Sequence, residues 1–227
     1  VGSTALLINK INQIKNSKIE VVFINHGADW PETYDYLEYI QRKLEINITT
    51  INVDIEGKGG LYEYFWYYKM LPLMLYRICT VKGKLDPFYT YIKTPARILL
   101  GMTYDEKKRC IENGKTNVEN VYPLVNEKIT RKGAIEIIKK HGLKIPKKSG
   151  CFFCPFQKKR QWQELFYDHL ELFKKAMELE ERALKENSNV STLTKTRLKD
   201  LYTQFNHQTS LSDFTSDNIS YQKPGSD

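Results

Sequence analysis

Two thiols three residues apart, Cys151 and Cys154, lie in the run Ser-Gly-Cys-Phe-Phe-Cys-Pro-Phe at 149–156. A glycine before the pair and a proline after it form a turn on which both sulfurs can face one metal ion. One Cys-x-x-Cys supplies only half of a tetrahedral set, so residues brought in by the fold must complete it. Two further cysteines, Cys79 and Cys110, are available for that role. Soft thiolates suit Zn2+ or an iron–sulfur cluster. Reduced core cysteines without a metal are the competing reading, because free cysteine is commonly buried.

Other residue types offer weaker chemistry. Val1-Gly2-Ser3-Thr4 precedes the first helical segment, and a strand–turn–helix with free backbone N–H groups holds phosphate. The plainer reading is an N-cap by Ser3 or Thr4. His26 follows a strand-like run, where a ligand can be touched, whereas His169 and His207 fall in a C-terminal helical region. Tyr62–Tyr68 is an aromatic run that either stacks bases or, at helical spacing, fills a core. Lys158, Lys159 and Arg160 form an anion patch or a solvated helix start. Glu32, Asp105 and Glu106 suit Mg2+ beside phosphates, and the preference of acids for helix N-termini explains them equally well.

The elements that must position these groups alternate over the first 150 residues. Residues 5–16 have helical apolar spacing, 20–25 form a buried-strand run, and Pro31 opens a helix reaching about Leu44. A β-branched strand follows at 47–53, a glycine loop at 57–60 and an aromatic helix at 61–76. The spacing then predicts a strand at 97–103 and helices at 105–113 and 130–141, the last closed by Gly142. This rhythm predicts an α/β fold, a mostly parallel sheet with helices on both faces. After Cys154 the pattern becomes helical. An amphipathic stretch spans 157–186 with Trp162, Leu165, Phe166, Leu170, Phe173, Met177 and Leu184 as its apolar stripe, and a second helix covers 193–205. The expected division is an α/β domain at 1–150, the Cys-x-x-Cys segment with a helical appendage at 151–207, and a polar tail at 208–227.

The chain has 227 residues, 41% hydrophobic and 27% charged. That is enough apolar material for a sizeable core, and no apolar run approaches the ~20 residues of a membrane span. It opens on Val1 rather than Met and shows no signal-peptide pattern. Four cysteines in a chain of this size argue against a disulfide scaffold, so a reducing, cytoplasmic setting is expected. The net charge of +8 favours an anionic partner, either a nucleotide or a nucleic acid.

Several segments together resemble the phosphoadenosine phosphosulfate reductase-like family of the PP-loop, or adenine nucleotide α-hydrolase-like (HUP-like), superfamily. Val1-Gly2-Ser3-Thr4 is similar to the last four positions of the family's Ser-Gly-Gly-x-Asp-Ser-Thr loop, with Gly2 where Asp is usual. Phe23-Ile-Asn-His-Gly-Ala-Asp-Trp-Pro-Glu-Thr33 resembles the second-strand motif Phe-x-Asp-Thr-Gly-x-Glu-x-Pro-Glu-Thr, with Asn25 and His26 replacing Asp-Thr. Leu100-Gly-Met-Thr-Tyr-Asp-Glu-Lys-Lys-Arg109 resembles Gly-x-x-x-x-Glu-x-x-Arg, and Tyr122-Pro-Leu-Val125 precedes a helix as in the family. Arg77-Ile-Cys-Thr80 with Lys84 and Pro87 resembles its Arg-x-Cys-Thr…Lys…Pro segment. The resemblance covers roughly residues 1–205.

The resemblance implies a PP-loop ATP pyrophosphatase fold and attack at the α-phosphate of ATP with release of pyrophosphate. It implies a nucleotide site at Gly2, Ser3, Thr4, Asn25, His26, Gly27, Gly101, Glu106 and Arg109, taking ATP with Mg2+. It also implies a metal site in which Cys79 joins Cys151 and Cys154 around Zn2+ or an Fe–S cluster. Many relatives place a fourth cysteine where this chain has Ala134; His141, Cys110, water or a free iron site are the substitutes. Sulfonucleotide reductases use a cysteine near the C-terminus, and this chain has none after Cys154. Thiolating members adenylate a nucleic-acid position and replace it with sulfur. The leading expectation is therefore an ATP-dependent, metal- or cluster-bearing enzyme modifying a nucleic acid or nucleotide, with sulfur transfer as one route. The alternative is a nucleotide- or nucleic-acid-binding regulatory protein on a degenerate PP-loop scaffold with a structural metal. Expected partners are ATP, the acceptor and, in a homodimer, a second copy, with no membrane.

Overall fold

The computed structural model describes residues 1–16, 18–111 and 117–217. Helices α1 (Gly2–Asn9) and α2 (Ile11–Lys15) lead into strand β1 (Val22–Asn25), helix α3 (Pro31–Leu44) and strand β2 (Thr49–Asn52). Next come α4 (Leu61–Tyr67), the short α5 (Ile78–Thr80), a π-helical turn at Val81–Leu85 and α6 (Asp86–Tyr91). Strand β3 (Ala96–Leu99), a 3-10 helix (Tyr104–Arg109), β4 (Val118–Val121), α7 (Pro123–Asn126) and α8 (Arg131–Lys140) follow. The chain continues as α9 (Lys159–Asp168), α10 (Leu170–Glu186) and α11 (Leu198–Asp217).

Two compact units emerge, residues 1–55 with 80–151 and residues 56–79 with 152–227. The sequence reading kept 56–79 with the first domain, whereas in space this stretch groups with the C-terminal helices. Its buried aromatic side chains explain the placement: Phe65 meets Phe153 at 5.9 Å, and Tyr62 meets Phe152 at 5.6 Å.

The first unit mixes helix with parallel strand pairs. β1 pairs with β2 from Val22↔Thr49 to Asn25↔Asn52, and β3 pairs with β4 from Ala96↔Val118 to Leu99↔Val121. Both pairings are parallel, as the alternating strand–helix pattern requires, but among the described residues they form two separate two-stranded sheets rather than one. One core unites the unit: Ala5, Leu6 and Ile8 of α1, Ile40 of α3, Leu124 of α7, and Ala134 and Ile138 of α8, with Phe23 and Leu99 packed against them. Helix α8 starts where the Thr130 hydroxyl accepts from the Gly133 N–H and ends beside Gly142 at φ 66°, a left-handed position that glycine fills without strain.

Several expected elements are shorter or broken. The helix at 5–16 divides at Lys10, whose N–H is shared between the carbonyls of Leu6 and Leu7. The helix at 61–76 ends after Tyr67, because Lys69 turns to φ 51° and Pro72 has no N–H to continue the ladder. The strand at 97–103 is only β3. The helix at 105–113 is the short 3-10 segment, and Glu112 and Asn113 lie outside the described residues. The stretch at 157–186 breaks at His169, which takes φ −143° between α9 and α10. The helix at 193–205 instead begins at Leu198 and reaches Asp217, so it enters the expected tail, whose residues from 218 lie outside the described ones.

In the second unit, Trp162, Leu165 and Phe166 of α9 and Phe173, Leu179 and Ala183 of α10 are buried, with Leu201 and Phe205 of α11. Phe166 meets Phe173 edge-on at 5.4 Å and Phe205 at 5.4 Å. Burial thus follows the predicted stripe through Trp162, Leu165, Phe166 and Phe173, while Leu170 is exposed.

Candidate functional site

The first turn of α1 is seated directly on the turn that follows β3. A Cβ placed on Gly2 would lie 2.0 Å from the carbonyl oxygen of Gly101. A Cβ on Gly101 would lie 2.5 Å from both the backbone nitrogen and the Cα of Ser3. Only glycine permits this approach at either position. Ser3 is exposed at the start of α1, while Thr4 is buried.

Beside this contact opens a cleft of about 550 Å3 lined by Thr103, Asp105, Glu106, Thr130, Arg131 and Lys132. Two helical N-termini supply its walls. Thr103 caps the 3-10 helix, with its N–H donating to Glu106 Oε2 at 3.4 Å, and Glu106 is also ion-paired with Arg109. Asp105 Oδ2 accepts from the Arg131 N–H at 2.5 Å, which puts a carboxylate at the N-terminus of α8, where the helix dipole favours an anion. The first turn of α8 nevertheless carries Arg131 and Lys132 and no acid. Cations there oppose the dipole and are disfavoured in an isolated helix, so their placement suits an anion in the cleft.

A second cluster lies at the end of β1. Asn25 Oδ1 accepts from the Gly27 N–H at 3.0 Å and from the Tyr34 hydroxyl at 3.1 Å, and Asn25 Nδ2 donates to Asn52 Oδ1 at 2.9 Å. His26 is fully buried. Its Nδ1 accepts from the Ala28 N–H at 3.3 Å, so Nε2 carries the proton and faces Asp29 Oδ2 at 3.3 Å and Cys151 Sγ at 3.8 Å. The backbone fixes this meeting, since Asp29 and Cys151 form an antiparallel bridge and the Trp30 N–H donates to the Gly150 carbonyl at 3.3 Å. Burial pushes the His26 pKa down, against the pull of Asp29 and with the repulsion of Lys84. The imidazole is neutral there, a donor to Asp29 within a packed interior.

The predicted nucleotide residues thus fall in two places. Gly2, Ser3 and Gly101 touch one another, with Glu106 at the adjoining cleft and Arg109 paired to it. Asn25, His26 and Gly27 lie together at the strand end, with His26 enclosed. The three expected metal ligands are cysteines of intermediate exposure and, among the described residues, lie in no disulfide. Cys151 lies with His26 and Asp29 in the first unit, and Cys79 and Cys154 belong to the second. Among the described residues no group of three or more His, Cys, Asp or Glu side chains is arranged to hold a metal ion. The donor chemistry of the thiols suits Zn2+ or a cluster, and no chemical step is assigned to such a group. Ala134, where many relatives of the resembled family carry a ligand, is fully buried in the hydrophobic core, so that position is packed rather than open. His141 bonds the Ile137 carbonyl at 2.9 Å on an exposed helix end, and Cys110 faces the Glu106 carbonyl at 3.9 Å. Glu32 pairs with Lys147 at 2.7 Å.

Sequence reasoning did not single out Thr103, Thr130, Arg131, Lys132 or Asp29. The signal for Arg131 and Lys132 was legible as two cations just after a Thr N-cap. Asp29 pairs with His26 three residues away, but its backbone bridge to Cys151, more than a hundred positions on, leaves no local trace.

No family model and no solved structure matches the chain. A protein of Methanocaldococcus jannaschii, described as uncharacterized, is 27% identical over 139 residues, covering 54% of this chain and 30% of that protein. The chain thus spans less than a third of the length of that relative. No helix of the described residues is long and apolar enough to cross a membrane.

Proposed function

We propose that the chain is an ATP-dependent enzyme of the phosphoadenosine phosphosulfate reductase-like, PP-loop type, which adenylates a nucleic acid or nucleotide, with sulfur transfer as one route onward. In this reading an acceptor oxygen attacks the α-phosphate, the bond between the α-phosphorus and its bridging oxygen breaks, and pyrophosphate leaves. The supporting observation is the backbone contact of Gly2 and Ser3 with Gly101 beside a cleft walled by helical N-termini. These are parts that the resemblance assigns to the nucleotide site, and they come from opposite ends of the first 101 residues. Backbone N–H groups at the start of α1, with Arg131 and Lys132, would supply donors and positive charge for phosphate oxygens. Mg2+, when bound with ATP, would neutralise charge developing on the leaving pyrophosphate. Cys79, Cys151 and Cys154 are the proposed ligands of Zn2+ or an Fe–S cluster.

The test is pyrophosphate release from ATP by the full-length protein, assayed with RNA and DNA pools. Release that depends on an added acceptor supports the reading. Absence of both ATP binding and pyrophosphate release sinks it. One observation favours a binding protein on the same scaffold: His26, at a position assigned to the nucleotide, is fully enclosed and bonded to Asp29 rather than presented to a ligand. That second reading predicts nucleic-acid binding without pyrophosphate release.

A further inference from the structure

The second unit carries a stretch unlike the rest of the chain. From Tyr64 through Cys79 there is no Asp or Glu, while Arg77 adds positive charge and Lys69 is paired with Glu186. Within it, Tyr67, Met74, Leu75 and Tyr76 are 56%, 57%, 89% and 71% exposed. The chain leaves helical geometry after Tyr67, so these side chains have no helical face to turn inward. The neighbouring aromatics Tyr64 and Phe65 are buried and hold the end of α4 in place. Two cations stand over exposed rings of the same unit. Lys58 Nζ lies 4.0 Å from the centroid of Tyr67, and the Arg77 guanidinium lies 5.5 Å from that of Phe156, which is itself half exposed.

We propose that this stretch binds single-stranded nucleic acid, with bases stacking on Tyr67, Tyr76 and Phe156 and phosphates met by Lys58 and Arg77. An exposed ring beside a cation offers a flat face for a base and a charge for the adjoining phosphate, whatever the base. Duplex nucleic acid keeps its bases stacked inside and cannot use the rings. A second copy meeting this stretch face to face would bring like charges together. A purely apolar protein partner would gain nothing from the cations and would strip their water. The inference rests on the nucleic-acid arm of the proposed function and names where the acceptor strand is held.

The experiment is fluorescence anisotropy of labelled oligouridylate with the full-length protein. A duplex RNA and phosphatidylserine vesicles run as competitors, and ATP·Mg2+ binding is measured on the same samples. Oligouridylate is expected to bind, duplex to compete poorly and vesicles not to compete. Tyr67→Ala, Tyr76→Ala and Phe156→Ala are each expected to weaken binding about tenfold, since each removes a stacking platform. Lys58→Ala and Arg77→Ala are expected to lower the salt slope by about one each. All five side chains lie at the surface, and circular dichroism and ATP affinity are expected to stay at wild-type values. No oligouridylate binding, binding unchanged in the three aromatic variants, or displacement by vesicles overturns the inference. Any of these with ATP binding intact leaves the nucleotide reading standing, so the two fail separately.

Discussion

Gly2 and Gly101 touch through their backbones, so closely that a Cβ on the first would lie 2.0 Å from the carbonyl oxygen of the second. Nothing at this contact is a flexible side-chain end, so an added methyl must displace backbone. Gly101→Ala and Gly2→Ala are each predicted to destabilise the protein by about 1–3 kcal/mol, the usual cost of overpacking. Each is also predicted to lower ATP affinity by at least about tenfold. Gly133→Ala is the contrasting case. Its Cβ would meet Ile129 Cγ2 at 3.4 Å, an ordinary contact, inside α8. Alanine there is predicted to stabilise by about 0.5–1 kcal/mol, because glycine is the poorer helix former. Urea melts and nucleotide titrations of the three variants check both statements.

Arg131 and Lys132 line the cleft from the first turn of α8. If the cleft takes ATP as proposed, replacing either with Ala is predicted to remove a charge-assisted contact to phosphate, worth about 1.5–3 kcal/mol, or roughly tenfold to a hundredfold in ATP affinity. Thermal stability should not fall, since cations at a helix N-terminus oppose its dipole. Loss of stability without loss of affinity would show that the two side chains serve the fold instead.

Glu180 is almost fully buried and accepts from the backbone N–H groups of Leu193 at 2.9 Å and Leu198 at 2.7 Å, tying the loop between α10 and α11. Glu180→Ala leaves both donors unpaired and is predicted to cost about 2–4 kcal/mol. Burial raises the Glu180 pKa above 4.5, against the two N–H bonds and Arg197. The folded protein therefore binds this proton more readily than the unfolded chain. The stability it contributes is full below about 4.5 and is lost as pH rises through the raised folded value. Urea melts across that window should show this decline in the wild type and not in Glu180→Gln.

How much of this was legible in the sequence varies by element. β1, α3 and α8 follow from a buried apolar run, a Pro-opened helix and a Thr-capped helix closed by glycine, all local signals. The break at His169 and the early end of α4 were not legible from periodicity, which runs through both. Chain conformation at single residues decides them, φ −143° at His169 and φ 51° at Lys69. β4, Val-Glu-Asn-Val, is too short to signal itself and exists because β3 pairs with it. Within the site, Gly2 and Gly101 were singled out separately, but their contact is a product of tertiary packing. The Cys-Phe-Phe-Cys segment was read for its thiols. Its phenylalanines turn out to be buried, Phe153 between Tyr62 and Phe65, and Cys151 keeps company with His26 and Asp29.

The His26–Asp29 pair gives a stability prediction. Asp29→Ala removes the acceptor of a buried Nε2–H and is predicted to cost about 2–3 kcal/mol. Asp29→Asn keeps an acceptor oxygen and should recover about half of that loss. Denaturant melts of both variants, with His26→Phe as a third, separate a lost hydrogen bond from lost volume.

Metal content tests the cysteine reading. Protein purified without oxygen is predicted to carry iron or zinc near one equivalent of site, and Cys79→Ser, Cys151→Ser and Cys154→Ser are each predicted to lose most of it. Metal retained in Cys79→Ser would remove that residue from the ligand set.

The central claim is that the Gly2–Gly101 contact builds a phosphate site. Calorimetric titration of the full-length protein and of Gly101→Ala with ATP·Mg2+ tests it most directly. Saturable single-site binding by the wild type, lost or weakened at least about tenfold in a Gly101→Ala protein that is still folded by circular dichroism, is the predicted result. No saturable heat from the wild type, or equal affinity in the two proteins, would contradict it.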